Sequence, residues 1–335
     1  MNSKKTVRFG IIGSSSITDS MLAGAAIYPK LQLCAVCSRT AQRAEAYAEK
    51  HGAKHTFTSP AEMAKSDTID MVYIASPNRL HMQQATLFLQ NGKHVLCEKS
   101  VMLNSRELAE AIALAEEHHV VFAEAMTIWH MPLYKKLWQI VETGDGEIPA
   151  LGKVQFIQLN FGSYKEYNMK NRFFNMNLAG GALLDIGVYA LSIARSFMSS
   201  QPDQVLSQVK YAPTGADEQE GILLMNPDGQ MAALSLSLHS KQPKRAVISC
   251  EKGYIEIMEY PRADRAIVVE AETGKVHEIT AGTTADALLY EMTDMEDAIL
   301  NGNTGVMRLK DTRDVMELMT GLRKEWNMKY PGEEW

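Results

Sequence analysis

Three side chains have the types needed to move a proton alongside a redox step. They are Lys99 in Glu98-Lys99, and Asp185 and Tyr189 in Gly180-Gly181-Ala182-Leu183-Leu184-Asp185-Ile186-Gly187-Val188-Tyr189. A helix over residues 183–198 sets Asp185 and Tyr189 four positions apart on one face, where both reach a common substrate hydroxyl. An ammonium about 4 Å from a phenolate is worth about 4 kcal/mol at an effective dielectric of about 20, or about three pK units, against which phenolate desolvation acts. On this reading Lys99 makes Tyr189 the acid/base, and Asp185 holds a neighbouring hydroxyl. The alternative makes Lys99 the proton donor and Tyr189 the orienting group; two such coupled groups do not separate by sequence. Arg172 is a candidate for a substrate oxygen or phosphate, with a structural ion pair as the competing account.

A redox partner is expected near the N-terminus, where Val7-Arg8-Phe9-Gly10-Ile11-Ile12-Gly13 reads as a buried strand running into a small-residue turn and a helix. The turn Gly13-Ser14-Ser15-Ser16-Ile17-Thr18 keeps only the first glycine of the dinucleotide fingerprint. Gly13, Ser15, Ser16 and Ile17 are nevertheless expected on the diphosphate, by position after the first strand. At Cys37-Ser38-Arg39-Thr40 the carboxylate that holds an NAD ribose is missing. Ser38 and Arg39 suit a 2′-phosphate, so NADP(H) is expected over NAD(H), with NAD(H) still possible. Ala75, Ser76, Asn78 and His81 follow a strand at the carboxyl edge where such sheets hold ligands. Asn78 doubles as a helix cap, and His81 as a solvated helix residue. Glu98 and Lys99 end the next strand at that edge.

The elements that must carry these groups are legible from periodicity. Strands are expected at 7–12, 31–36, 71–74, 94–97 and 120–123, alternating with helices that open at Thr40, Ser59-Pro60-Ala61-Glu62 and Asn104. After Glu124 the pattern changes to a helix near 133–142, then strands at 154–161, 221–225, 231–239, 247–250, 254–258, 266–271 and 275–280, and helices at 285–300 and 312–326. The fold class is α/β: an N-terminal Rossmann doubly wound parallel sheet over 1–124, and a C-terminal α+β domain over 125–335 with a large, mostly antiparallel, open-faced sheet. The C-terminal helix is expected to pack back on the first domain. Residues 163–174, rich in groups that recognise sugars, are expected to wall the pocket. In Leu234-Ser235-Leu236-Ser237-Leu238 the leucines share one face; the opposite face suits a homodimer or homotetramer.

The 335 residues are 46% hydrophobic and 22% charged, with a net charge of −6, which fits two globular domains and gives no electrostatic attraction to nucleic acid or an anionic membrane. No signal-like segment follows Lys4-Lys5 and no run is expected to cross a bilayer, so the expected location is cytoplasmic. Four cysteines are too few for a disulfide framework, and Cys34 and Cys37 sit in a strand where they face opposite sides, so no metal site is expected.

These residues resemble the glucose-fructose oxidoreductase/inositol dehydrogenase/rhizopine-catabolism (Gfo/Idh/MocA) family over nearly the whole chain. Ala75-Ser76-Pro77-Asn78 is similar to its Ala-Thr-Pro-Asn segment, Glu98-Lys99-Ser100 to its Glu-Lys-Pro signature, and residues 180–189 to its second-domain signature. The resemblance implies that Lys99 is the active-site lysine. Tyr189 in Asp-x-Gly-x-Tyr most resembles the dihydrodiol dehydrogenase and NADP-dependent xylose dehydrogenase branch, which implies a sugar, polyol or dihydrodiol substrate. Ser100, Ser15, Thr18 and Ala179 depart from the family pattern without removing a reacting group. A catalytically silent NADP-sensing regulator on the same fold is the rival from another class, and a metal-dependent dehydrogenase a second.

Overall fold

The computed structural model describes residues 6–168 and 171–335. Two compact units emerge: Met1–Met126 with Leu288–Leu309, and Thr127–Ala287 with Lys310–Trp335.

In the first unit β1 (Val7–Ile12), β2 (Leu31–Cys37), β3 (His55–Phe57), β4 (Met71–Ile74), β5 (His94–Glu98) and β6 (Phe122–Ala125) are parallel, in the order β3-β2-β1-β4-β5-β6. That is the order of a dinucleotide-binding doubly wound sheet, with its switch point between β1 and β4. Every residue of β4 and β6 is buried, as coverage of both faces requires. The covering helices are α1 (Ser16–Ala25), α2 (Ala41–His51), α3 (Pro60–Lys65), α4 (His81–Gln90) and α5 (Ser105–Glu117). Thr40, Ser59 and Asn104 each accept a backbone N–H three residues on, so the capping read from sequence forms at α2, α3 and α5. The expected strand at 120–123 instead begins at Phe122, and β3 had no sequence signal. Asn78 does not cap α4 as expected: it opens a 3-10 turn, Asn78–Leu80, which precedes the helix proper.

The second unit begins with α6 (Thr127–His130) and α7 (Pro132–Glu142). Its eight strands are β7 (Val154–Gly162), β8 (Gln204–Tyr211), β9 (Asp217–Met225), β10 (Met231–Ser237), β11 (Gln242–Cys250), β12 (Gly253–Met258), β13 (Arg265–Glu270) and β14 (Val276–Thr280). They run in the order β14-β13-β12-β11-β7-β10-β9-β8, antiparallel throughout except for the parallel β7/β10 pair. Burial alternates along β12, with Gly253, Ile255 and Ile257 covered and Tyr254 and Met258 exposed, the mark of a sheet with one face packed. On the packed face α8 (Val188–Phe197) lies against β7. The stretch Met176–Phe197 is 22 residues and apolar enough to cross a membrane, against the expectation that no run would be; 72% of its apolar window is buried inside the protein, so it is a core element here.

Two helices close the chain, α9 (Ala287–Asn301) and α10 (Leu309–Glu325). Leu288, Met292, Met295 and Ala298 of α9 pack with Phe9, Ile11, Met21 and Leu22 in the core of the first unit, each buried Leu, Ile, Met or Phe side chain contributing about 1.5–3 kcal/mol. The last helix, α10, belongs to the second unit from Lys310 on.

Candidate active site

In the first unit the β1–α1 turn lies against the end of β4. Gly13 has φ +103°, and a Cβ there would overlap the carbonyl of Ala75, so only glycine fits the turn. The hydroxyls of the turn bond among themselves: Thr18 Oγ1 donates to Gly13 O at 2.9 Å and lies 3.3 Å from Ser15 Oγ. Ser15 is the N-cap of α1 by position, yet its side chain caps nothing. The first N–H groups of α1, at Ser16 and Ile17, therefore suit a diphosphate, as the dipole of a helix N-terminus does. Ser38 is fixed through its N–H to Phe57 O (3.0 Å), and Arg39 is exposed beside it. Sequence reasoning missed Arg43, which donates to Ser14 Oγ at 3.4 Å and ties the start of α2 to the diphosphate turn. Its spacing of four from Arg39 on a helix start was the available signal.

The loops after β4 and β5 are joined by His81. Rather than being solvated, as its position on a helix start suggested, His81 is fully buried: Nε2 lies 2.9 Å from Ser76 O, and Nδ1 lies 3.0 Å from Ser100 O and 3.2 Å from Val101 O. Burial lowers its pKa below the ordinary histidine value, although the carbonyls around it favour the cation. Ser76 Oγ donates to Gln84 Oε1 at 2.7 Å. At the end of β5, Glu98 accepts from the Tyr73 hydroxyl (2.5 Å) and from the Lys99 N–H (3.3 Å), and the Lys99–Ser100 peptide is cis. Glu124 accepts the Val101 N–H at 3.1 Å. A carboxylate inside an otherwise apolar strand was the signal that could have singled out Glu124.

In the second unit the helix of Asp185 and Tyr189 starts differently from the expectation. Leu183–Gly187 is a π turn, and the α-helix begins only at Val188. Such turns gather at functional positions. Between residues 179 and 195 every residue is buried except Asp185 and Tyr189. The extra residue in the turn leaves these two, both partly buried, on the same side of the helix start. Asp185 Oδ1 is 2.9 Å from Arg172 Nη1, whose side chain is 54% exposed while that of Asp185 is 12% exposed. The Tyr189 ring lies 6.3 Å from that of Phe161 at the end of β7.

Of residues 163–174, Met169 and Lys170 lie outside the described residues. Tyr164 and Tyr167 flank the ring of His239, at centroid distances of 5.3 and 4.3 Å, and both are exposed. The Tyr167 hydroxyl donates to Glu218. The Arg172 guanidinium also covers the Phe173 ring at 4.6 Å. Among the described residues, no group of three or more His, Cys, Asp or Glu side chains is placed to hold a metal ion.

Residues 7–126 match the family described as oxidoreductases with an NAD-binding Rossmann fold, and residues 134–256 match the GFO/IDH/MocA C-terminal domain. The chain thus belongs to the Gfo/Idh/MocA family and is an NAD(P)-dependent oxidoreductase. It is 33% identical to scyllo-inositol 2-dehydrogenase (NADP(+)) IolU of Bacillus subtilis, over 98% of this chain and 99% of that protein. It is 27% identical to trans-1,2-dihydrobenzene-1,2-diol dehydrogenase of Xenopus tropicalis, over 97% and 99%. Among solved structures, KijD10, a 3-ketoreductase from Actinomadura kijaniata in complex with NADP and TDP-benzene, shares the fold with a TM-score of 0.84 at 20% identity, covering 96% of this chain and 98% of that one.

Proposed function

We propose that this enzyme transfers hydride between NADP(H) and the carbinol or carbonyl carbon of a sugar, polyol or related diol, with NAD(H) as the weaker cofactor. The first unit is read as the cofactor-binding part and the second as the substrate-binding part. The observation that carries the reading is the partial exposure of Asp185 and Tyr189 together in a stretch, 179–195, that is otherwise buried, with Arg172 paired to Asp185. The names of the relatives support both the polyol class and the NADP preference.

When bound, the nicotinamide supplies or accepts the hydride. Tyr189 exchanges the accompanying proton with the substrate oxygen, with Lys99 as the alternative proton donor. Asp185 holds a neighbouring hydroxyl and is itself oriented by Arg172. Ser16 and Ile17 offer backbone N–H groups to the diphosphate beside Gly13 and Ser15, while Ser38, Arg39 and Arg43 meet the 2′-phosphate. Ala75, Ser76, Asn78 and Glu98 line the cofactor. His81 lies between the two loops, one ring nitrogen 2.9 Å from Ser76 O and the other 3.0 Å from Ser100 O, and its N–H bonds one of them. We further propose a cytoplasmic homo-oligomer formed through the exposed sheet face that bears Leu206, Tyr254 and Val276, with neither nucleic acid nor membrane as partner.

The test is NADPH consumption or NADP reduction across a panel of inositols, aldoses and dihydrodiols, followed by single-turnover rates for Tyr189→Phe and Lys99→Met. Loss of the acid/base should slow hydride transfer by about 10²–10⁴-fold. Near-normal turnover in Tyr189→Phe with a dead Lys99→Met moves the proton to the lysine. Tight NADPH binding with no turnover on any member of the panel favours a regulator.

A further inference from the structure

We infer that Asp217, at the start of β9 and outside every motif that pointed to the site, is the positioning residue for Asp185 and Tyr189, an inference that rests on the function proposed above. Asp217 is fully buried. Its Oδ2 accepts the N–H of Leu183, the first residue of the π turn, at 2.5 Å. Its Oδ1 occupies the space beside Gly181 where any Cβ would overlap it, and Gly181 has φ +143°. Ala182, the residue at the N-cap position, brings no side-chain acceptor. A carboxylate from a neighbouring strand therefore does the work of the cap, and its charge suits the positive end of the helix dipole. Slippage of the turn by one residue would lose the Leu183 bond and push a side chain into Asp217. The register that leaves Asp185 and Tyr189 on the same side of the helix start is thus set from β9.

Asp217 is in turn backed by groups that the proposed chemistry does not use. Glu220, on the same strand, is buried beside it; burial and the neighbouring carboxylate push its pKa well above the usual range. Arg323 and Tyr330, which feel the charge of Asp217, are buried as well. Arg323 is held by two bonds of 2.7 Å to Glu333. These bonds tie the C-terminal residues to α10.

The experiment compares Asp217→Ala, Asp217→Asn, Tyr189→Phe and the Tyr189→Phe/Asp217→Ala double variant in the full-length enzyme. NADPH affinity, a property of the other unit, reports that each variant is folded. Single-turnover hydride transfer with NADP and scyllo-inositol, or the best polyol of the panel, gives the rates. Amide exchange over residues 183–187 reports the turn without requiring activity. Asp217→Ala should speed exchange at these amides and slow hydride transfer by about 30- to 100-fold, the scale of a misplacement near 1 Å. Asp217→Asn, which keeps an acceptor for Leu183, should stay within about fivefold of the parent. In the Tyr189→Phe background, Asp217→Ala should cost clearly less than in the parent, because one of the two groups it positions is already gone. An equal cost in both backgrounds, or unchanged exchange at 183–187, overturns the inference. Should Asp217→Ala not fold, Asp217→Asn and the Gly181→Ala variant, which crowds the same carboxylate, carry the exchange test. Inactivity of the parent on every polyol is instead a failure of the proposed function, and exchange alone then decides the role of Asp217.

Discussion

His81 in the first unit and Asp217 in the second both lie buried under a loop that carries site residues, yet they hold those loops in opposite ways. His81 sits among three carbonyls, and burial favours its neutral form. Asp217 accepts an N–H at a helix start, where a negative charge is favoured. The carbonyl-lined brace belongs to loops that, in the proposed function, present backbone and small side chains to the cofactor. The carboxylate brace belongs to the helix of Asp185 and Tyr189, which the proposed function requires in a fixed register. The partners differ as well: Asp185 is paired with an exposed guanidinium, whereas Ser76 and Glu98 are held by the neutral groups of Gln84 and Tyr73.

The sharpest test of this contrast removes charge in the second unit. Asp185→Asn abolishes the ion pair with Arg172 and the acceptor for a substrate hydroxyl. It is expected to lower kcat/KM by about 10²–10³-fold, the scale of a group that strengthens its hydrogen bond in the transition state, with NADPH affinity unchanged. Steady-state kinetics beside a cofactor titration check it. A variant that loses NADPH affinity as much as turnover contradicts the assignment of Asp185 to substrate.

Removing the other brace should give the reverse pattern. His81→Ala leaves the carbonyls of Ser76 and Ser100 without their buried partner, at an expected cost of about 2–4 kcal/mol in stability and about tenfold in NADPH affinity. The pH dependence has a definite sign. With the folded pKa lowered from 6.5, the unfolded chain binds the extra proton, so the contribution of His81 is fully present above about pH 6.5 and is lost as pH falls below it. Denaturant unfolding between pH 8 and 5 should show a steeper acid loss in the parent than in His81→Ala. Parallel profiles would mean that His81 titrates alike in both states.

How far the sequence reached follows from the range of the interactions involved. The β1–α1 turn and the caps at Thr40, Ser59 and Asn104 depend on residues within a few positions of each other, and each was legible. His81 was not, because a 3-10 turn ahead of α4 rotates it inward, and the carbonyls that hold it come from loops 5 and 19–20 residues away. The π turn was equally hidden. Its cause, Asp217, lies 34 residues from Leu183, and no local pattern in Asp217-Glu218-Gln219-Glu220 distinguishes a brace from an exposed acidic strand. The split of the last two helices between units escaped for a similar reason: both are amphipathic, and only the packing of Met292 and Met295 against β1 and α1 decides the matter for α9.

The smallest expected effect concerns the residue at which this turn departs from the family pattern. Ala179, just ahead of Gly180 and Gly181, adopts φ +57° and ψ +48°, the left-handed region that glycine enters without strain. An alanine there costs roughly 1–2 kcal/mol, offset in part by the narrower unfolded ensemble it confers relative to glycine. Ala179→Gly is therefore expected to raise stability by about 0.5–1 kcal/mol, a Tm gain of about 1–3 °C for a chain of this size. Because Asp217 and not Ala179 fixes the helix start, kcat and KM should hardly change. A loss of stability would mean that the methyl group of Ala179, which is 6% exposed, contributes more by packing than it loses by strain. A stabler enzyme with slower hydride transfer would be more informative: it would mean that strain ahead of Gly180 helps to hold Asp185 and Tyr189, and that the register of the second unit is set from both sides of the turn.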